Sequence, residues 1–264
     1  MPALSFPWLP APPFVLAAGL VIVLAAGIVR GFAGFGFSAL SVAGLALLVS
    51  PAQVVPAIFI LEVLASLTLL RGIHADIDWP WLGSLVLGNV LFIPLGILVL
   101  AWLPETQLRL AIGVLMLLAA GMQLRGRGLA LQPTKAVRLA VGAVSGFANG
   151  IAAIGGIAVA VLLSTTQLAP AALRATLIAL FLVTDVYALV WAGLVSHGDA
   201  SVELLGARTL AWAGWLAPAM LVGIAIGKRS FVAISPARFR RRVLELLVVV
   251  AALGIARAAV DLAA

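Results

Sequence analysis

GIVRGFAGFGFSALSVAGLALLVSP, residues 27–51, decides the reading of this chain, because it returns in altered form as GFANGIAAIGGIAVAVLLSTTQLAP, residues 146–170. At that offset of 119 positions Gly27 falls on Gly146, Gly31 on Gly150, Gly36 on Gly155 and Pro51 on Pro170. Ala33 and Ala39 fall on Ala152 and Ala158. A glycine costs a helix about 1 kcal/mol relative to alanine, so two matched clusters in apolar runs need a cause. Close helix packing is one, since small residues let backbones approach. A pair of broken helices lining a site within a membrane is the other, and it alone accounts for the duplication.

Composition sets the class around that stretch. The chain is 64% hydrophobic and 9% charged, where a soluble domain carries about 25% charged residues. Most of it must face lipid or other buried helices, with little left for a soluble domain. The expected fold is an all-α polytopic membrane protein of about 8–10 segments, each roughly 20 residues long where it spans.

The net charge of +7 is no nucleic-acid signal, because the bases lie between apolar spans rather than on one solvated face. They report orientation instead. One cluster, RGRGLALQPTKAVR at 125–138, falls near the middle of the chain, and the other is KRSFVAISPARFRRR at 228–242. With no cysteine, disulfide and thiol chemistry are excluded. MPALSFPWLPAPPF lacks the basic region and cleavage site of a signal peptide, and its prolines hold off a helix until residue 14. It reads as an interfacial lead-in with Trp8 near the headgroups.

The duplication reaches further. GILVLAWLPETQLRL, residues 96–110, resembles GKRSFVAISPARFRR, residues 227–241. An insertion around SHGDASVELL, residues 196–205, absorbs the change of offset. The expected organisation is a lead-in at 1–12, a first membrane repeat at 13–124, a basic cytoplasmic linker at 125–137 and a second repeat at 138–264. If both basic clusters are cytoplasmic, the 28 residues of 137–164 must return to the side they left. At 1.5 Å per residue they reach about 42 Å, too little for two passes of a 30 Å core. A re-entrant hairpin of two half-helices is therefore expected there. The same logic puts Arg30 and Arg71 inside and the Pro104–Glu105 turn outside, so the two halves are inverted repeats. Parallel halves of four spans would export the second basic cluster.

Two acids stand inside apolar runs: Glu62 in VVPAIFILEVLASLTLL and Asp185 in ATLIALFLVTDVYALVW. Each costs about 2.5–3.5 kcal/mol at a helix centre on insertion scales, which directs it to the bundle interior. Proton coupling is the functional reading for both, against a hydrogen-bonded structural role. The repeat sets Asp185 against Ser66 and Glu62 against Phe181, one turn apart on equivalent helices. Arg174 is read as snorkelling to the cytoplasmic surface. Asn149, Gln53 and Gln167, with Asn89, are neutral donors suited to oxyanions, although any one alone more often bonds two helices.

The glycine turns suit an anion. Half-helix N-termini near Gly34, Phe35 and Gly36, and near Gly155 and Gly156, would present free N–H groups and partial positive charge without a fixed cation. The expected substrate site is thus Gly34, Phe35, Gly36, Asn149, Gly155, Gly156, Gln53 and Gln167, with Glu62 and Asp185 for proton coupling.

Residues 27–70 and 142–190, with tandem glycine motifs ahead of a proline and a long apolar helix, resemble the TauE/SafE family of sulfite and organosulfur-anion exporters. The ending LVGIAIGKRSFVAISPARFRRRVLELLVVVAALG is similar to that family's last span, basic turn and final helix. This chain carries GFGF at 34–37 and IGGI at 154–157 where the family usually has a GxGGG run. The resemblance implies movement of sulfite, sulfoacetate or a related small anion across a bacterial inner membrane.

Enzyme chemistry finds no support: there is no HExxH, P-loop or nucleotide fingerprint. His74 and His197 lie in loops on opposite sides, and His74, Asp76 and Asp78 read as solvated loop residues rather than a metal site. No cofactor, metal or nucleic-acid partner is expected. The partners are the small anion, the lipid bilayer and, through glycine-rich faces, a second copy in a homodimer. The rival classes are a passive anion channel, which would survive loss of both acids, and a non-transporting assembly subunit.

Overall fold

The computed structural model describes residues 10–124, 134–156, 159–160, 168–199, 202–230 and 236–263. The lead-in up to residue 9, the linker core at 125–133 and Gln167 lie outside them. All regular structure among the described residues is helical. In our numbering the helices are α1 Pro13–Ala33, α2 Phe37–Leu45, α3 Pro51–Leu70, α4 Trp79–Trp102, α5 Glu105–Leu124, α6 Lys135–Ala152, α7 Pro170–Gly198, α8 Ala207–Ser230 and α9 Pro236–Ala263. Seven of these, all but α2 and α6, are long and apolar enough to cross a membrane by length and composition. The chain is a multi-pass membrane protein.

Helix ends follow local chemistry. Pro13, Pro51 and Pro170 each occupy the first turn of a helix, where a missing N–H costs nothing. Asp78 caps α4 by accepting from the Trp81 N–H at 3.0 Å, and its own N–H donates to Thr176 Oγ1 of α7 at 3.0 Å. The loop acid expected to be merely solvated therefore ties two helix starts together. Trp79 and Trp102 are exposed at the two ends of α4, about 36 Å apart at 24 residues. They suit the two headgroup layers. Between them Leu87, Leu91 and Leu95 present an apolar face.

The core is built on two close helix crossings made by glycine. Along α1 and α8 a Cβ on Gly27 would sit 2.7 Å from the Met220 carbonyl oxygen, and one on Gly227 3.0 Å from the Gly31 Cα. Along α4 and α6 a Cβ on Gly96 would sit 2.7 Å from the Gly150 Cα, while Gly88 faces Leu139–Ala143. No larger residue fits at either seam, so packing is a firm reason for these glycines. In both crossings register rises together along the two helices, so α1 runs parallel to α8 and α4 parallel to α6. The α5–α9 pair is antiparallel: Gly113 meets Ala251 and Ile255, and Arg109 lies 3.7 Å from Asp261.

Helix α2 folds back along α1, setting Gly44 against Ile22 and Leu45 against Gly19. The bend falls at Gly34 and Gly36, whose φ values of 81° and 92° lie in the left-handed region. Nine residues of α2 rise only about 14 Å, half a membrane core. In the second half, the first arm of the hairpin expected over 137–164 is α6, whose 18 residues begin before 137 because Thr134 caps it at Val137 N and the basic first turn stays helical; most of the second arm lies outside the described residues. Helix α6 breaks at Ala153, also left-handed at φ 57°.

Candidate functional site

Four elements bring polar groups to the centre of the bundle: the last turns of α1 and α6 and the middles of α3 and α7. Arg30, Glu62, Ser66, Asn149 and Asp185 are each between 0% and 2% exposed. Arg30 is the hub. Its Nη1 donates to the Gly34 carbonyl at 2.9 Å and its Nη2 to Ser66 Oγ at 2.9 Å. Nη2 also lies 3.0 Å from Glu62 Oε2, and the guanidinium stands 4.6 Å over the Phe181 ring of α7. Glu62 turns its other oxygen, Oε1, to the Ser38 N–H at 3.2 Å.

In the sequence this arginine stands as an end-of-span base and not a site residue, and the glycine turns are expected to need no fixed cation. A fixed cation is present, and it is buried. The expected anion slot at the start of α2 is also already in use: the N–H of Ser38, in the first turn after Gly36, faces the chain's own Glu62 carboxylate. Buried charge of this kind persists when it is paired and hydrogen-bonded, and here both conditions hold. A signal was available, because Arg30 falls on Asn149 at the repeat offset of 119.

The second half fills its centre differently. Asn149 Nδ2 donates to Asp185 Oδ1 at 2.8 Å. This bond joins residues 36 apart, as does the Arg30–Ser66 bond. Phe181, matched with Glu62, carries no charge. Asp185 feels the charges of Glu62 and Arg30 across the interface, yet its direct partner is a neutral amide. No ion pair to it exists among the described residues.

The remaining expected residues separate by place. Gly34 sits under the Arg174 side chain, where a Cβ would lie 2.7 Å from Arg174 Cγ. Arg174 does not reach away to a surface; it is half-buried and donates from Nη2 to the Gly31 carbonyl at 3.2 Å. Phe35 packs against the apolar cluster that includes Trp81, Leu177 and Phe181, and Gly36 opens α2 beside Val29. Gly155 packs on Ser145 and Asn149, and Gly156 on the Phe181 ring. Gln53 lies nine residues before Glu62 on α3, about 14 Å along the helix, and does not join the centre. Asn89 donates to the Leu85 carbonyl and accepts from Ser145 Oγ at 3.2 Å, which makes it a helix–helix bond.

A second polar cluster closes the opposite end of α2. Arg109 Nε donates to the Ala46 carbonyl at 3.0 Å and pairs with Glu105 and Asp261, while Arg257 donates to the Leu47 carbonyl. These arginines satisfy carbonyls at the C-terminal end of α2, where cations also meet a favourable dipole.

Glycine-seamed parallel helices, a short helix folded back in the bundle and a buried ionised centre define a polytopic membrane protein with its polar groups gathered inside. Residues 19–254 match the family model described as sulfite exporter TauE/SafE. The chain belongs to that family of transporters. No curated protein and no solved structure matches it.

Proposed function

We propose that this chain is a secondary transporter that moves a small sulfur-containing anion, such as sulfite or sulfoacetate, across the bacterial inner membrane. Its flux is coupled to a proton carried on Asp185. The observation that carries the proposal is the unequal treatment of two buried acids. Glu62 is neutralised by Arg30 at 3.0 Å, so it acts as a fixed counter-ion. Among the described residues the direct partner of Asp185 is the Asn149 amide at 2.8 Å, and an acid without a cation partner there can take up and release a proton as its surroundings alternate. The sequence reading gave both acids that role; the pairing favours Asp185 alone.

The two halves are inverted repeats in this reading. Support comes from the helix directions: α6 runs parallel to α4, three helices after α1, while α1 runs parallel to α8. Thus α1 of the first half packs along α8 of the second, α6 of the second along α4 of the first, and α1 and α6 enter from opposite faces. Rocking of such halves about a central site is a general route to alternating access.

The test is uptake of radiolabelled sulfite into proteoliposomes under an imposed pH gradient. The proposal expects accumulation that follows the gradient and collapses when a protonophore removes it. Flux indifferent to the gradient would mark a passive pathway and reject coupling; absence of flux for sulfite and sulfoacetate alike would reject the substrate class.

A further inference from the structure

Two guanidinium groups converge on the turn where α1 ends, and the proposed transport explains neither fully. Arg30 spends its two Nη groups on Gly34, Ser66 and Glu62, but its Nε is buried with no hydrogen-bond partner among the described residues. Arg174, in the second turn of α7, lays its stem over Gly34 and gives Nη2 to the Gly31 carbonyl. Its Nε is likewise buried and unpartnered, and no acid pairs with it among the described residues. The two cations act on one another electrostatically. Both therefore touch the Gly31–Gly34 turn, one from each half of the chain.

Like charges brought together in a low-dielectric interior are unfavourable unless an anion joins them. Glu62 offsets one of the two arginines, which leaves a single positive charge when Asp185 is protonated and none when it is ionised. An unused Nε–H on a planar guanidinium is a directed donor suited to an oxyanion. Phe181 covers one face of Arg30, which confines approach to the edge of the group.

Resting on the transport reading above, we infer that Arg30 and Arg174 form the anion-recognition pair. It takes a singly charged sulfur oxyanion or sulfonate, and it takes it together with the proton on Asp185. Gly34 belongs to the pair as the residue that lets Arg174 reach inward: its left-handed φ of 81° and the Arg174 stem above it leave no place for a Cβ. Binding of anion and proton then cancels the excess charge in one step, and release of either weakens the hold on the other. The site chooses a monoanion over a dianion such as sulfate, because a second negative charge would stand uncompensated in the bundle.

The test is calorimetric titration of the purified full chain in lipid nanodiscs with sodium hydrogensulfite and with methanesulfonate, using sulfate as the comparison. Wild type should bind the two monoanions more tightly than sulfate. Arg174→Gln should weaken that binding about 30-fold or more, the scale for losing one partner of a buried charge-assisted contact. Arg174→Lys should fall between them, since it keeps the charge and loses the planar fork. Gly34→Ala, which displaces Arg174 without removing it, should weaken binding as well; these two variants carry the test if Arg174→Gln does not fold. Wild-type affinity in folded Arg174→Gln or Arg174→Lys would overturn this inference and leave the transport reading standing. Failure of wild type to bind either monoanion would overturn both.

Discussion

In each half of the molecule a residue in the α1 or α6 helix reaches a partner 36 positions later, and the two reaches differ in kind. Arg30 meets Ser66 with Glu62 alongside, whereas Asn149 meets Asp185 with Phe181 in the place of the second acid. The surrounding architecture is the same in both: the helix ends four residues on in a left-handed position, Gly34 or Ala153, whose N–H returns to the Arg30 or Asn149 carbonyl. The two helix ends are alike in backbone and differ in chemistry. One half holds a permanent ion pair; the other holds a lone acid on a neutral donor. A symmetric pair of ion pairs would be electrostatically inert, and a symmetric pair of lone acids would repel.

That division can be broken first at the ion pair. Glu62→Gln leaves Arg30 charged and buried without its counter-ion, which should lower stability by about 3–5 kcal/mol, the usual result of removing one partner of a buried pair. Unfolding in mild detergent would read it, and a loss below about 1 kcal/mol would show that Glu62 is not the counter-ion. The shared backbone gives the next effect. Gly31→Ala would drive a methyl into the Ile224 carbonyl and Gly150→Ala one into the Ile93 carbonyl. Each should cost about 1–3 kcal/mol by overpacking, and the two should match. A tolerated change at one seam and collapse at the other would mean that the crossings are not equivalent. The smallest expected change in stability is at the lone acid: Asp185→Asn keeps an oxygen for the Asn149 amide and should shift stability by less than about 1 kcal/mol.

Much of this was legible before any coordinates. Apolar runs give the helices, the cost of an acid in an apolar run singles out Glu62 and Asp185, and paired glycines ahead of Pro51 and Pro170 mark the duplicated turn. What the residues could not tell was who meets whom. Arg30 sits in the last turn of a span, where a base ordinarily reports the membrane surface, and only the side-chain contacts it makes with Glu62 and Ser66 of α3 and Phe181 of α7 draw it into the centre. Arg174 follows the same logic: its reach is set by the missing Cβ at Gly34, which periodicity does not reveal. Gln53 stands apart for a different reason: its chemistry suits an anion, but nine residues of helix separate it from Glu62. The length of α6 was hidden by its basic first turn, which lowers hydropathy while leaving helix formation intact.

The central claim is that Asp185, and not Glu62, carries the coupling proton. Its most direct test compares two fluxes of radiolabelled sulfite through Asp185→Asn in the same proteoliposomes: exchange against internal unlabelled sulfite, and accumulation driven by a pH gradient. The account predicts that exchange continues while driven accumulation falls to the level of empty liposomes, since an amide can hold the anion's surroundings in place but cannot carry a proton. Driven accumulation at the wild-type level in Asp185→Asn would contradict it.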